Sequence, residues 1–308
     1  MNKFDDVRLD VPRLLAEQRL KLATARHPSG RSNGRALLTP LKMRVRRRVM
    51  ETLVDSRIWD RLVYANAALG WFQEFERYWV RELGLRPITP PDFHFLKGVY
   101  RQRFQTLLDV PDANALEEGW RDARSLYLLF HLVLRNALSP LAAREIIKWI
   151  PHQGSVLEFG CGLAPITSSL TRFYRDRALS ITCADIEHVL FHYVRWKFSE
   201  EPCVRTLAID PNLDDPLDDV RYDTILCMTV FEHVPRPLKT LTCLCAHLKA
   251  GGHLIFDYIN SEGKGLDTEG GVRERSQVLR YVYDHFDIVE GQLHLDGRDV
   301  SRVVCRLR

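Results

Sequence analysis

The segment Ser155–Val156–Leu157–Glu158–Phe159–Gly160–Cys161–Gly162–Leu163–Ala164–Pro165 constrains the fold more than any other stretch of this chain. An apolar run of strand character breaks at two glycines and hands over to a helical pattern. Gly160 and Gly162 permit a tight turn and let a ligand come close to main-chain N–H groups. Pro165 suits the first helical turn, where its missing N–H costs nothing. Glu158 falls two residues before the first glycine, at the strand tip. Read as the dinucleotide fingerprint G-x-G-x-x-G, residues 160–165 end in Pro165 where the third glycine or alanine belongs.

Four further elements follow. Ser180 to Asp185 reads as a second strand ending in an acid, 23 residues past Gly162. That spacing suits a carboxylate accepting both hydroxyls of a ribose; a helix N-cap is the plainer role, and Asp185 could fill both. Val204 to Asp210 reads as a third strand. Tyr222 to Val234 contains a fourth, closing in Glu232–His233–Val234, and Leu248 to Phe256 forms a turn and a fifth.

With Glu-x-Gly-x-Gly-x-Ala at 158–164, these elements resemble, in order, the class I S-adenosylmethionine (SAM)-dependent methyltransferases. The resemblance implies an α/β fold: a seven-stranded, mostly parallel Rossmann-like sheet with an N-terminal all-helical domain. It implies SAM as cofactor, held by Glu158, Gly160, Cys161, Gly162, Asp185, Ile186, Asp210 and Met228, with Asp210 near the adenine. It also sets His233 and Glu232 at the end of the fourth strand, where the acceptor approaches the methyl group. Imidazole titrates near neutrality, so His233 is the first candidate base and Glu232 the second. In many relatives this pair only lines the pocket, and that alternative stays open.

The two halves differ in charge. Residues 1–150 hold 26 Lys and Arg against 17 Asp and Glu, and the remainder 18 against 23. The first half reads as helical over Val11 to Ala25, Leu41 to Leu53, Ile58 to Leu83, His94 to Leu108, Asn114 to Leu138 and Leu141 to Trp149. The proline-rich stretch Leu85 to Pro91 reads as a rigid connection. The expected division is a helical cap or substrate domain over 1–138 and a SAM-binding domain over 139–308. Near the C-terminus, Arg273 to His285 reads as a helix, with a strand pair at Phe286 to Leu295 and Val300 to Arg306.

All seven cysteines fall between Cys161 and Cys305. An odd count without C-x-x-C argues for reduced thiols that pack as small apolar groups. Cys243 and Cys245, two positions apart on a helix, make a poor pair for a metal or a disulfide. Asp210, Asp214, Asp215, Asp218 and Asp219 read as a solvated loop rather than a cation site, since Pro211 and Pro216 break the segment.

The acids in Met1–Asn2–Lys3–Phe4–Asp5–Asp6 argue against a signal peptide. The longest apolar stretch, Tyr127 to Leu134, is too short to span a bilayer, so a cytoplasmic location is expected. The basic run Lys42 to Arg48 suits a solvated helix face, or a nucleic-acid or acidic surface. The expected function is methyl transfer from SAM to an oxygen, with nitrogen as the other acceptor, of a small molecule such as a secondary metabolite or modified sugar. The alternatives are an RNA or protein methyltransferase docking its target through the basic half, and a non-catalytic SAM-binding subunit. Oligomeric state is not legible.

Overall fold

The computed structural model describes residues 70–85, 87–108, 126–138, 141–259 and 267–308. The basic run at 42–48 and most of the helical segments expected before Trp71 lie outside these residues, as does 109–125. The chain divides into two compact units, Met1–Arg103 and Phe104–Arg308.

In the first unit, helix α1 (Trp71–Arg77) tightens into a π-helical turn at Tyr78–Glu82. Helix α2 begins at Pro90 and runs to Leu108. The expected proline linker therefore ends earlier than its composition suggests, because Pro is tolerated in a first helical turn. The start is fixed by a reciprocal cap: Asp92 N–H donates to Thr89 Oγ1 at 3.4 Å and Thr89 N–H to Asp92 Oδ2 at 2.9 Å. Phe93 packs edge-on against Phe75, ring centres 4.9 Å apart, and against Trp71 at 5.3 Å.

In the second unit, α3 (Leu126–Leu138) buries Leu126, Leu129, Phe130 and Val133 at helical spacing. The unit's core is a seven-stranded sheet in the order β3-β2-β1-β4-β5-β7-β6. The strands are β1 (Ser155–Phe159), β2 (Ser180–Asp185), β3 (Val204–Ala208), β4 (Tyr222–Cys227), β5 (Leu248–Tyr258), β6 (Phe286–Glu290) and β7 (Val300–Leu307). Strands β1 to β5 pair in parallel, and β7 runs antiparallel between β5 and β6. Helices α4 (Pro165–Phe173), α5 (Val189–Lys197), α6 (Pro237–Ala246), α7 (Glu269–Arg273) and α8 (Arg275–His285) supply the connections. The expected Rossmann-like α/β sheet is what forms.

Side-chain alternation along β1 feeds two cores. Val156 joins Ile181, Cys183, Leu226 and Ile255 with Ile166 and Leu170 of α4. Leu157 and Phe159 join Ile225, Cys227, Leu254 and Phe256 with Val278 and Val282 of α8. Glu158 shares the parity of Val156, so its carboxylate is carried into the interior beneath α4. The strand order changes direction between β1 and β4, and ligands of such sheets bind at the carboxyl ends there.

Several boundaries differ from the sequence reading. Leu141 to Trp149 is a run of tight turns ending in a 3₁₀ turn at Ile147–Trp149 rather than an α-helix. Its turns close on their own carbonyls at Leu141, Ala143 and Ile146, while distant side chains take those at its end: Arg177 donates to Ile147 O and to Ile150 O just beyond, and Thr224 Oγ1 to Trp149 O. Strand β3 stops at Ala208, because Asp210 folds its carboxylate onto Asn212 just before the turn. Strand β6 stops at Glu290, where the register shifts and Gly291 turns with φ 89°. The seven cysteines are free thiols. Among the described residues, no helix is long and apolar enough to cross a membrane.

One side chain ties three central strands at their amino ends. Asp223 Oδ2 accepts from Ser155 N–H, Ser155 Oγ and Lys249 Nζ, each at 2.8 Å. Burial opposes the charge, but these donors outweigh it and hold the carboxyl below its ordinary range. Asp223→Ala should cost about 1–3 kcal/mol by leaving the Ser155 donors unpaired. The depressed value makes this contribution present above the unfolded carboxylate's pKa near 4 and lost as pH falls below it. Denaturant melts of wild type and variant at pH 7 and pH 3 should therefore show a stability gap that narrows on acidification.

Candidate functional site

The loop after β1 is built from its carboxylate outward. Glu158 accepts from Thr167 Oγ1 at 2.6 Å, Thr167 N–H at 2.8 Å and Ile166 N–H at 3.3 Å. It thereby satisfies N–H groups that a helix start leaves unpaired. Burial, with a smaller push from Asp185, still raises the carboxyl to about 7. Gly160 and Gly162 adopt φ 61° and 54°, and Ala164 follows at 46° before α4 starts at Pro165. A Cβ on Gly160 would lie 2.5 Å from Val230 Cγ2, so glycine is required there by space as well as conformation. A Cβ on Gly162 would meet nothing within 4 Å, so the space beside its Cα is open.

Asp185 lies beside this loop at the end of β2, buried. Its Oδ2 accepts from Gly162 N–H at 2.7 Å and its Oδ1 from Ile186 N–H at 2.8 Å. His188 Nδ1 accepts from Phe191 N–H at 3.0 Å, capping α5. That bond puts the ring proton on Nε2, which stands 3.5 Å from Asp185 Oδ1. Glu158, Gly160, Cys161, Gly162, Asp185 and Ile186 thus form one connected unit. Cys161 buries its thiol and donates its N–H to Ala184 O at 3.3 Å. Met228 is half-buried and packs on the core under α4. Asp210 is exposed and binds Asn212, although Ile209 N–H donates to Asp185 O at 2.9 Å and keeps this chain end near β2.

The other wall follows β4. Thr229 holds φ 56°, a strained conformation for a β-branched residue. Asp257, at the end of β5, secures it by accepting the Thr229 N–H, and Thr229 Oγ1 lies 3.4 Å from the same carboxylate. This turn aims Val230 into the space beside Gly160. A 3₁₀ turn at Phe231–His233 comes next. Helix α7 presses on it through a glycine pair: Cβ atoms on Gly270 and Gly271 would lie 1.8 Å from Pro235 O and 2.3 Å from Glu232 O. Thr268 locks the contact, its N–H donating to Glu232 O at 2.9 Å and its hydroxyl to Val234 O at 2.7 Å.

The two expected acid–base residues therefore occupy different environments. Glu232 is buried, and its Oε2 has no hydrogen-bond partner among the described residues. Burial first, then Asp257 and Asp267, pushes its carboxyl up to about 8 against the pull of Arg275. The His233 side chain is 22% exposed and its Nδ1 lies 3.5 Å from Oδ1 of Asp267, whose side chain is only 3% exposed. Sequence reasoning missed Asp267 and Thr268 as supports of this wall. The available signal was the Thr268-x-Gly270–Gly271 run, a capping residue followed by glycines that allow backbone contact.

A family model described as "Methyltransferase domain" matches residues 120–291. A "Ubiquinone biosynthesis O-methyltransferase" from Xylella fastidiosa is 31% identical over 47% of this chain and 56% of its own length. One of the same name from Serratia proteamaculans is 30% identical over 58% of this chain and 72% of its own length. The chain thus spans little more than half of the first relative. Among solved structures, a SAM-dependent methyltransferase from Aquifex aeolicus aligns over 64% of this chain and 99% of that one, with TM-score 0.43 and 17% identity.

Glu232→Gln keeps the side chain's shape and removes its titration. An unfolded glutamate ionises near 4.5 but the folded one only near 8. Wild-type stability should therefore decline relative to the variant as pH rises between those values, by up to a few kcal/mol, and level off above. Chemical denaturation at pH 5, 7 and 9 measures the gap. A gap independent of pH would mean that Glu232 is not held in its neutral form.

Proposed function

This chain belongs to the methyltransferase-domain family, and from that membership we propose that it transfers a methyl group from SAM to an oxygen of a small molecule. The observation that carries the reading is the buried Asp185 carboxylate, fixed against Gly162, whose Cα borders open space. Each carboxylate oxygen has capacity for a second donor beyond the amide it already holds. Asp185 can therefore take the two hydroxyls of a ribose without losing the loop, and the donor set fits SAM. Glu158 acts beneath, holding α4 in place rather than facing a ligand. Asp210 would have to leave Asn212 to reach an adenine. The oxygen acceptor follows the named O-methyltransferase relatives.

Bound SAM supplies an electrophilic methyl group. The residues of this chain must position the acceptor in line with it and remove the acceptor's proton. His233 suits the second task. Asp267 beside Nδ1 orients the ring and stabilises its charged form, leaving Nε2 to take the hydroxyl proton. Thr229 and the clamped turn after it keep His233 at a set place while α7 backs it. Glu232, held largely neutral near pH 7, is the poorer base and serves the wall.

The demethylated product of SAM should raise the melting temperature of wild type by mass action. Asp185→Ala should abolish most of that rise; no rise in wild type at saturating product would overturn the cofactor assignment. With labelled SAM and a panel of phenolic acceptors, His233→Ala should keep product binding and lose about a hundredfold or more in turnover. Its pH–rate profile should also lose an ionisation near neutrality. Unchanged turnover would assign the reaction to alignment alone.

A further inference from the structure

A second group of reactive side chains meets at the amino ends of β4 and β5, the opposite end of the sheet from the glycine loop. Asp215 and Val220 lie on the connection from β3 to β4, Cys243 in the last turn of α6, and His247 just after it. Cys243 and His247 are four residues apart and share one face of that helix end. His247 Nδ1 lies 2.9 Å from Val220 O, which can only accept, so Nδ1 carries a proton. Its Nε2 then faces both oxygens of Asp215, at 3.0 and 2.9 Å. Cys243 Sγ lies 3.4 Å from Asp215 Oδ1. One ligand atom of each residue falls within 4.8 Å of the others. The neighbouring acids are engaged elsewhere, Asp214 by Lys239 and Asp218 by Arg205, while Asp215 Oδ1 takes one further donor, Leu217 N–H at 3.1 Å.

We propose that Asp215, Cys243 and His247 bind one zinc(II) ion through a carboxylate oxygen, Sγ and Nε2, with water completing the coordination. An imidazole whose other nitrogen donates to a backbone carbonyl is already oriented as a metal ligand. Mixed nitrogen, sulfur and oxygen donors suit zinc, whereas calcium and magnesium take oxygen alone. Tetrahedral bonds of about 2.0–2.3 Å set N–O and S–O separations of about 3.4 and 3.6 Å. The ligands need to open by a few tenths of an ångström, and Asp215, exposed on a loop, is the one that can give. The ion would staple the β3–β4 connection to the end of α6.

The test uses the full chain stripped of metal and titrated with zinc(II) against a chromophoric chelator. Wild type should take up one equivalent and gain melting temperature. Asp215→Asn and Cys243→Ser should each weaken binding by at least about tenfold, the scale seen for losses around ligated metals. Cobalt(II) in place of zinc should give a thiolate charge-transfer band that Cys243→Ser removes and Cys245→Ser retains. The melting rise caused by the demethylated SAM product should persist in all variants. Absence of zinc uptake by wild type, or uptake unchanged in both ligand variants, would leave an ion pair between His247 and Asp215 and overturn the site.

Discussion

Glu158 carries the turn on which the site is built. Its position on β1 points it into the interior, where a carboxylate is costly unless it is hydrogen-bonded. The start of α4 offers N–H groups that the helix cannot use, and Thr167 adds a hydroxyl. The strand end and the helix start therefore need each other, and the short loop between them must double back in left-handed conformations. Gly160 accepts that conformation and leaves the gap that Val230 fills. From this contact the end of β4 inherits its position, and with it the strained Thr229 and the turn bearing His233.

The second wall shows how strain is held. A threonine at positive φ costs on the order of 1–3 kcal/mol and persists only where its surroundings determine it. Asp257 supplies the anchor from β5, and α7 presses from outside with two glycines against backbone. Backbone-to-backbone packing at this closeness leaves little freedom for the Phe231–His233 turn. A base that must meet an acceptor within hydrogen-bond reach benefits from such a fixed mount.

Two ends of one sheet thus carry different chemistry. The carboxyl ends gather the Asp185 carboxylate, the glycine loop bonded to it and an imidazole beside a buried acid. The amino ends of β4 and β5 gather Asp223 with its donors and, nearby, the Asp215–Cys243–His247 group. Cys243 looked unpromising when paired with Cys245, because its partners come from the helix end and from a separate loop.

The chain's linear pattern alone determined the sheet, its strand sequence and the identity of the loop residues. Strand periodicity, glycine spacing and an acid at a strand end are local properties, and buried parallel strands leave little freedom in how they read. The positions of Glu158, Gly160 and Asp185 in one connected unit followed from it. What it could not determine was the state of groups whose surroundings come from distant segments. Burial separates Glu232 from His233, adjacent residues both read as candidate bases, and sends one into the interior while the other keeps contact with solvent. The Leu141–Trp149 segment has helical composition, but Arg177 and Thr224 take carbonyls at its end. Asp215 read as one acid of a solvated loop until α6 brought His247 to it. In each case the deciding energy is desolvation or a hydrogen bond to a residue far along the chain, and only the tertiary structure specifies that partner.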